Sequence, residues 1–333
     1  MYKTIRNNSL ILICGVGSIG ERHLNNILRL GYENIILYRK RNNPLRTLNK
    51  QFPVFSDLND ALKENPEISF ITNPTSLHIE TAIKCADAGS HIFIEKPLSH
   101  NRVGVEKLKK IIKNKNLKVM IGFMMRFHPC IKKIKELLDN KKIGNILSTI
   151  SIWGEYLPDW HPWEDYTTSY AARKKLGGGP ALTLSHDLDI LLWLLGKPER
   201  LKAYANYNSN LNIDTENAID IILKYKNGII SNIHLDYLQK PPFREYLFIG
   251  DKGRIKLNYF ANLVEINTDK SYGVFYSPGN FERNDMFIEE IKYFFNCIEN
   301  DINPSPGIDE ASISLDIALK AIESDKYRKG IKV

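Results

Sequence analysis

The chain has 333 residues, 43% of them hydrophobic and 25% charged, with a formal net charge of +8. That is an ordinary globular composition, long enough for two cores rather than one. No stretch approaches the ~18 uninterrupted apolar residues of a membrane span, and the opening MYKTIRNN leads into a strand rather than a signal-peptide apolar region, so a cytoplasmic protein is expected.

The lysines are scattered, which argues against nucleic acid and for attraction of anionic small ligands. Cys14, Cys85, Cys130 and Cys297 are far apart in sequence and form no CxxC pair, so neither a metal site nor a disulfide framework is expected.

Residues 10–20 read LILICGVGSIG, an apolar run that enters a GxGxxG turn at Gly15, Gly17 and Gly20. The run is too short for a buried helix and right for a fully buried parallel strand. Gly15 permits the tight turn, Gly17 lets backbone approach a diphosphate, and Gly20 lets the next helix pack closely. That helix, expected from Ile19 to Leu30 and closed by Gly31, aims free N–H groups at the phosphates near Ser18 and Ile19.

A second strand, Asn34 to Tyr38, ends in Arg39, Lys40 and Arg41. An acidic residue about 20 positions beyond the glycines binds the ribose 2′-OH of NAD, whereas an arginine accommodates a 2′-phosphate. With no carboxylate between Tyr38 and Asn43, NADP(H) is favoured and NAD(H) stays open.

The alternation continues through strands Phe52 to Phe55, Ile68 to Thr72, His91 to Ile94 and Lys118 to Gly122, with helices Asp57 to Glu64, Ser76 to Ala88 and Arg102 to Asn114 between them. Such short connections imply a doubly wound parallel sheet with ligands at the strand C-termini. Asn73, Pro74, Thr75 and His78 follow one such end, and Glu95 and Lys96 another. A hydride-transfer reaction needs a base for the hydroxyl proton and a positive group beside the developing alkoxide. Lys96 meets both needs, and burial beside a cofactor lowers an ammonium pKa towards neutrality.

After a helix from Pro129 to Asn140 the pattern changes to strands near Asn145 to Trp153, Leu201 to Tyr207, Ala218 to Tyr225, Ile229 to Leu238, Glu245 to Gly250, Arg254 to Leu257 and Asn262 to Asn267. Asn227-Gly228 and Asp251-Lys252-Gly253 join neighbours as antiparallel hairpins. Two helices, Asn284 to Glu299 and Asp309 to Tyr327, close the chain. The expected organisation is a Rossmann domain over 1–122 and an α+β domain over 123–333, with the last helix free to pack back on the first domain.

In chain order, GVGSIGERHL (15–24), NPTSLH (73–78), EKP (95–97), MRFHP (125–129), GGGPALTLSHDLDILLWLLG (177–196) and the final ASISLDIALKAIESDKYRKG make the chain resemble the Gfo/Idh/MocA oxidoreductases over nearly its whole length. The resemblance implies a pyridine-nucleotide dehydrogenase for sugars, cyclitols or their nucleotide derivatives. It also implies a C-terminal domain with a large, mostly antiparallel open sheet that makes homodimers or homotetramers. It places the catalytic lysine in the EKP, at Lys96, and puts Arg126 and His128 near the nicotinamide or substrate.

The helix after Gly179 carries Thr183, His186, Asp187 and Asp189. His186 and Asp189, three apart, share a helical face on which the carboxylate would orient the imidazole, and Asp187 follows Thr183 by four. The family spaces an Asp four residues before its His. Counting from the glycines puts Thr183 and Asp187 at those positions, and aligning on the histidine puts His186 in the role; His186 is favoured, with Asp187 close behind.

The segment from Glu155 to Lys175 concentrates ring and hydroxyl binders: Trp160, Trp163, Tyr166 and Tyr170 offer flat faces to a sugar, and His161, Asp165 and Arg173 offer polar groups. A rigid loop at an oligomer interface fits the same composition. Two other readings of the whole chain stay open: a non-catalytic dinucleotide sensor, and a redox-neutral enzyme that keeps its cofactor bound.

Overall fold

The computed structural model describes residues 8–40, 45–327 and 331–332. Contacts divide the chain into two units, Met1–Met124 with Arg283–Ser312, and Met125–Glu282 with Ile313–Val333.

The first unit is built on six parallel strands, β1 Ile11–Cys14, β2 Ile35–Tyr38, β3 Val54–Phe55, β4 Ile68–Ile71, β5 His91–Glu95 and β6 Val119–Gly122, in the order β3-β2-β1-β4-β5-β6. β1, β4 and β6 are buried throughout, as strands covered on both faces must be. The order reverses at β1, so the glycine turn that follows it lies where doubly wound sheets bind ligands.

Helices α1 Ser18–Arg29, α2 Leu58–Lys63, α3 His78–Asp87 and α4 Val105–Lys115 make the crossovers. The third is preceded by a single 3-10 turn over Thr75–Leu77, and the helix expected from Arg102 begins three residues later, behind Gly104 at φ +81°. The strand expected from Phe52 is shortened to its last two residues.

Helix α8, Arg283–Glu299, belongs to this unit. The reason is aromatic. Phe70 and Phe93 stack at 5.0 Å, Phe294 meets Phe93 edge-on at 5.8 Å, and Phe287 reaches the ring of His23 at 6.0 Å. The chain therefore returns over Arg283–Ser312 to a sheet it left at β6, and the backbone N–H of Ile121 in β6 donates to Pro306 O. The expected second domain of 123–333 runs continuously through this segment.

In the second unit, α5 Pro129–Asp139 precedes a nine-stranded sheet: β7 Ile146–Gly154, β8 Arg200–Asn206, β9 Ala218–Lys224, β10 Ile230–Asp236, β11 Phe243–Gly250, β12 Gly253–Asn258, β13 Leu263–Thr268, β14 Val274–Tyr276 and β15 Ile331–Lys332, ordered β14-β13-β12-β11-β7-β10-β9-β8-β15. Every pairing is antiparallel except β7 with β10. On β9 and β10 buried and exposed residues alternate, so one face of the sheet covers the core. The short strand β14 was not expected from the sequence. Helix α9, Ile308–Tyr327, which joins this unit at Ile313, is the last helix among the described residues.

Candidate functional site

In the first unit the site is the row of turns that leave β1, β4 and β5. Gly15 has φ +96°, and a Cβ there would meet the Asn73 backbone at 2.6 Å. A Cβ on Gly20 would strike the Gly15 carbonyl and Thr72 Oγ1, which itself donates to Gly15 O at 2.5 Å. These two glycines are thus dictated by packing. Gly17 is different: it is exposed, and a Cβ there would meet nothing.

Gly17 caps α1 with no side-chain bond, and Ser18 beside it is exposed. The first N–H groups of α1 therefore lack the side-chain acceptor that usually satisfies them. Uncapped donors, open space and a dipole end together fit the diphosphate of a dinucleotide.

At the end of β2, Arg39 is half-buried with its N–H bonded to Phe55 O, and Lys40 is exposed. Arg41 lies outside the described residues. Glu21, on the first turn of α1, accepts from Thr47 N and Oγ1 at 2.5 and 2.7 Å. Burial works to raise its carboxyl, but those bonds and the nearby Arg46 hold it below its usual value.

After β4, Pro74 is exposed and Thr75 buried, and Asn73 Nδ2 donates to Thr81. His78, expected among the cofactor contacts, is buried between two loops: Nε2 lies 2.9 Å from Asn73 O and Nδ1 2.9 Å from Pro97 O. It joins the turn after β4 to the turn after β5. Burial is the main cause that lowers its pKa.

Lys96 is half-buried, and its backbone N–H donates to Glu95 Oε2 at 3.1 Å. Glu95, also expected at the cofactor, turns inward, with Oε1 2.6 Å from His23 Nε2.

In the second unit the segment after the glycines is not one helix. α6 covers Pro180–Thr183, and α7 covers His186–Leu195, with Leu184 and Ser185 between. The expectation that Thr183 and Asp187 share a face through i,i+4 spacing is corrected by this break. Thr183 Oγ1 is bonded to Gly179 O at 2.9 Å and to Tyr237 Oη, back-bonding of the kind that bends helices.

Asp187 instead faces Arg244, with Nη2 to Oδ2 at 2.5 Å, and accepts from Ser151 Oγ. Both oxygens of Asp189 accept from Arg126, at 2.8 and 2.7 Å. All four of these charged side chains are buried. Arg126, expected near the cofactor, thus forms a bidentate pair and also lies 5.4 Å from the Trp193 ring. His186 is buried, its ring 5.9 Å from that of Trp153, which in turn lies 3.7 Å under the Arg244 guanidinium. His128 caps α5 by accepting from Cys130 N and packs on Phe281. Burial, then Arg244, hold its pKa down to about 4.

The aromatic segment from Glu155 to Lys175 forms four 3-10 turns. Trp160 packs edge-on against Tyr237 at 5.4 Å, and its buried Nε1–H has no acceptor among the described residues. His161 lies 5.3 Å from Trp163, with its buried Nδ1 in the same condition. Trp163 is exposed, Tyr166 Oη accepts from Asn212 N, Asp165 caps Thr167, and Tyr170 and Arg173 are half-buried.

Sequence reasoning missed Glu216, whose carboxylate accepts from Ala181 N at 3.1 Å and fills the space a Cβ on Gly179 would need. It also missed Arg244. Neither carries a motif; only the fold brings them to the glycine segment.

Comparison with known proteins agrees with this geometry. Residues 10–123 match the oxidoreductase family with NAD-binding Rossmann fold, and 131–256 match the GFO/IDH/MocA C-terminal domain. The chain is 26% identical to myo-inositol 2-dehydrogenase of Thermotoga maritima, covering 96% of this chain and 97% of that one. It is 33% identical to levoglucosan dehydrogenase of Pseudarthrobacter phenanthrenivorans over 41% of this chain and 35% of that one. A solved levoglucosan dehydrogenase, in complex with NADH and levoglucosan, superposes with a TM-score of 0.87 at 18% identity, covering 97% of this chain and 99% of that one, a likeness of fold. Among the described residues no helix is long and apolar enough to cross a membrane. With the parallel sheet, the glycine turn and both family models in agreement, the chain belongs to the Gfo/Idh/MocA family of NAD-binding oxidoreductases.

Proposed function

We propose that this protein is an NAD(P)(H)-dependent dehydrogenase or reductase for a secondary alcohol or ketone of a sugar, cyclitol or nucleotide sugar. The observation that carries the reading is the pairing, within one unit, of an uncapped helix terminus at Gly17 and Ser18 with Lys96 at the end of β5. The names of the relatives, myo-inositol 2-dehydrogenase and levoglucosan dehydrogenase, support the substrate class.

The nicotinamide supplies the hydride acceptor or donor when bound. Gly15, Gly17, Ser18, Ile19 and Gly20, with Asn73, Pro74 and Thr75, are the residues that would hold the diphosphate. Arg39 and Lys40 would hold a 2′-phosphate, which makes NADP(H) the favoured cofactor. Lys96 takes the hydroxyl proton during oxidation and, as an ammonium, stabilises the alkoxide that develops. His186 is the second proton carrier. Trp160 and His161 contribute the buried polar atoms that seek a partner, and Trp163, Tyr166, Tyr170, Arg173 and Thr183 are the other candidate substrate contacts.

Exposed Ile150, Tyr204, Ile222 and Ile230 lie on the sheet, and we assign the sheet's outer face to a homodimer or homotetramer contact, checked by light scattering. A thermal-shift panel of NADP(H), NAD(H) and polyol substrates tests the main reading, because a ligand that binds only the folded state raises the Tm. Stabilisation by a dinucleotide, followed by a change in nicotinamide absorbance with a polyol, is the expected result. No shift with either dinucleotide overturns the reading, and a larger shift with NAD(H) reverses the assignment of Arg39.

A further inference from the structure

Behind Lys96 lie three titratable groups that the proposed reaction leaves unused. His23 of α1, Glu95 of β5 and Glu290 of α8 each offer an atom within 4.8 Å of the others, and all three are buried. Aromatic rings wall them in: the His23 ring lies 5.7 Å from Phe70, 5.1 Å from Phe93 and 6.0 Å from Phe287.

The three do not share their hydrogen bonds evenly. Glu95 accepts from the Lys96 N–H and contacts His23 Nε2, whereas both oxygens of Glu290 and Nδ1 of His23 have no partner among the described residues.

Two carboxylates this close in an apolar pocket do not both ionise. Glu95 has donors that favour its anion, and Glu290 has none, so the proton resides on Glu290. His23 follows by the same count. A neutral ring donates from Nε2 to Glu95 and leaves a lone pair on Nδ1, while a doubly protonated ring would bury an N–H with no acceptor.

We propose that Glu290 is a neutral carboxylic acid which, with neutral His23, keeps Glu95 as the single anion of the cluster, bonded to the Lys96 backbone N–H, and so positions that lysine as the base. The three are positioning residues, and the inference rests on the reading of Lys96 given above.

Burial raises Glu290 well above the ordinary carboxyl range, and the charge of Glu95 adds to it. The other charged or titratable groups that act on Glu95 are Arg22 of α1 and, from the neighbouring turns, His78. A divalent ion in the same cluster is disfavoured by geometry. Ligand atoms on a tetrahedral ion with bonds of about 2.0–2.1 Å sit about 3.3 Å apart, and the His23–Glu95 contact is 2.6 Å.

The test is infrared spectroscopy at neutral pH of the full chain carrying Glu216→Gln, which removes the other buried carboxyl raised into this range and leaves the carbonyl stretch of a protonated Glu290 to be read. The expected result is such a band in that background and its loss when Glu290→Gln is added. Should the second substitution prevent folding, a band in the Glu216→Gln chain that disappears only at alkaline pH gives the same answer. Glu95→Gln removes the anion, and the limb of the kcat profile for alcohol oxidation is expected to move down by about one pH unit, the lower end for loss of a nearby opposite charge.

No acid band in the Glu216→Gln chain, a band that persists when Glu290→Gln is added, or stoichiometric metal lost on that addition overturns the proposal. An unmoved limb in Glu95→Gln removes the link to Lys96. If the wild type oxidises no polyol, the functional reading fails while the band still decides the protonation of Glu290.

Discussion

Two glycine-led turns stand at the two places where this chain was expected to do chemistry, and they are built for opposite ends. The turn from Gly15 to Gly20 spends two glycines on close packing and leaves the third exposed before a helix with no side-chain cap. The turn from Gly177 to Gly179 is buried, and the carboxylate of Glu216 fills the space beside Gly179 and accepts from the helix that follows. Glycine spacing alone does not separate a ligand cradle from an internal joint; what separates them is whether the following N–H groups already have an acceptor.

The sharpest way to break this contrast is to remove Lys96, the proposed base, on the open side. Lys96→Ala is expected to lower kcat by about 10²–10⁴-fold, the usual contribution of a positioned acid or base. Stabilisation by dinucleotide in a thermal-shift assay should persist, since the glycine turn is untouched. A variant with near wild-type turnover would move the base elsewhere and take the enzymatic reading of the first unit with it.

On the closed side the corresponding change is one of stability. Asp187 and Arg244 are both buried, and Asp187→Asn leaves the guanidinium without its counter-charge. Breaking one partner of a buried pair costs about 3–5 kcal/mol, to be read from the urea midpoint at constant slope. If kcat collapsed while the midpoint held, Asp187 would return as the acid or base that the family's spacing first suggested.

Much of this was legible in the chain, and the exceptions share a physical cause. Buried parallel strands and antiparallel hairpins announce themselves locally, through apolar runs such as Leu10 to Cys14 and turns such as Asn227-Gly228, and both sheets follow from them. The parallel pairing of β7 with β10 does not, because a pairing between strands 76 positions or more apart leaves no local pattern. The return of α8 to the first sheet is equally silent: its phenylalanines fit any core until Phe70 and Phe93 are placed beside them.

The ion pairs were hidden for the same reason. Asp187 and Arg244 are 57 residues apart, and Arg126 and Asp189 are 63. Helical periodicity instead offered nearer partners, His186 for Asp189 and Thr183 for Asp187. The second offer fails because the helix breaks at Leu184 and Ser185.

Glu216 allows the joint itself to be titrated. Burial lifts its carboxyl from 4.5 to about 7, against the smaller opposing pull of Ala181 N–H and Lys174. A raised pKa means that the folded state holds a proton the unfolded state has lost. Stability from this group is therefore complete below about 4.5 and gone above about 7, a fall on the order of 3 kcal/mol across that window. Glu216→Gln should flatten the stability profile there. A profile as steep in the variant as in the wild type would show that the carboxylate is not the group that closes the glycine joint.

The smallest effect falls on the sheet of the same unit and gives the comparison its control. His234 lies between Asp220 at 2.8 Å and Asp236 at 3.0 Å, and the bond to Asp236 is the first cause lifting its pKa to about 9. Here too the folded state holds the proton more tightly, so the contribution is complete below 6.5 and lost as the pH rises through about 9. The site is about one-third exposed, and solvent screening limits the effect to about 1 kcal/mol or less. His234→Asn should remove that shallow alkaline decline and leave the Glu216 window untouched, because the two groups titrate in successive ranges. If one substitution erased both, the acid joint at the glycines and the ion pair on the sheet would be a single coupled system, and Glu216 could no longer be credited with closing the turn on its own.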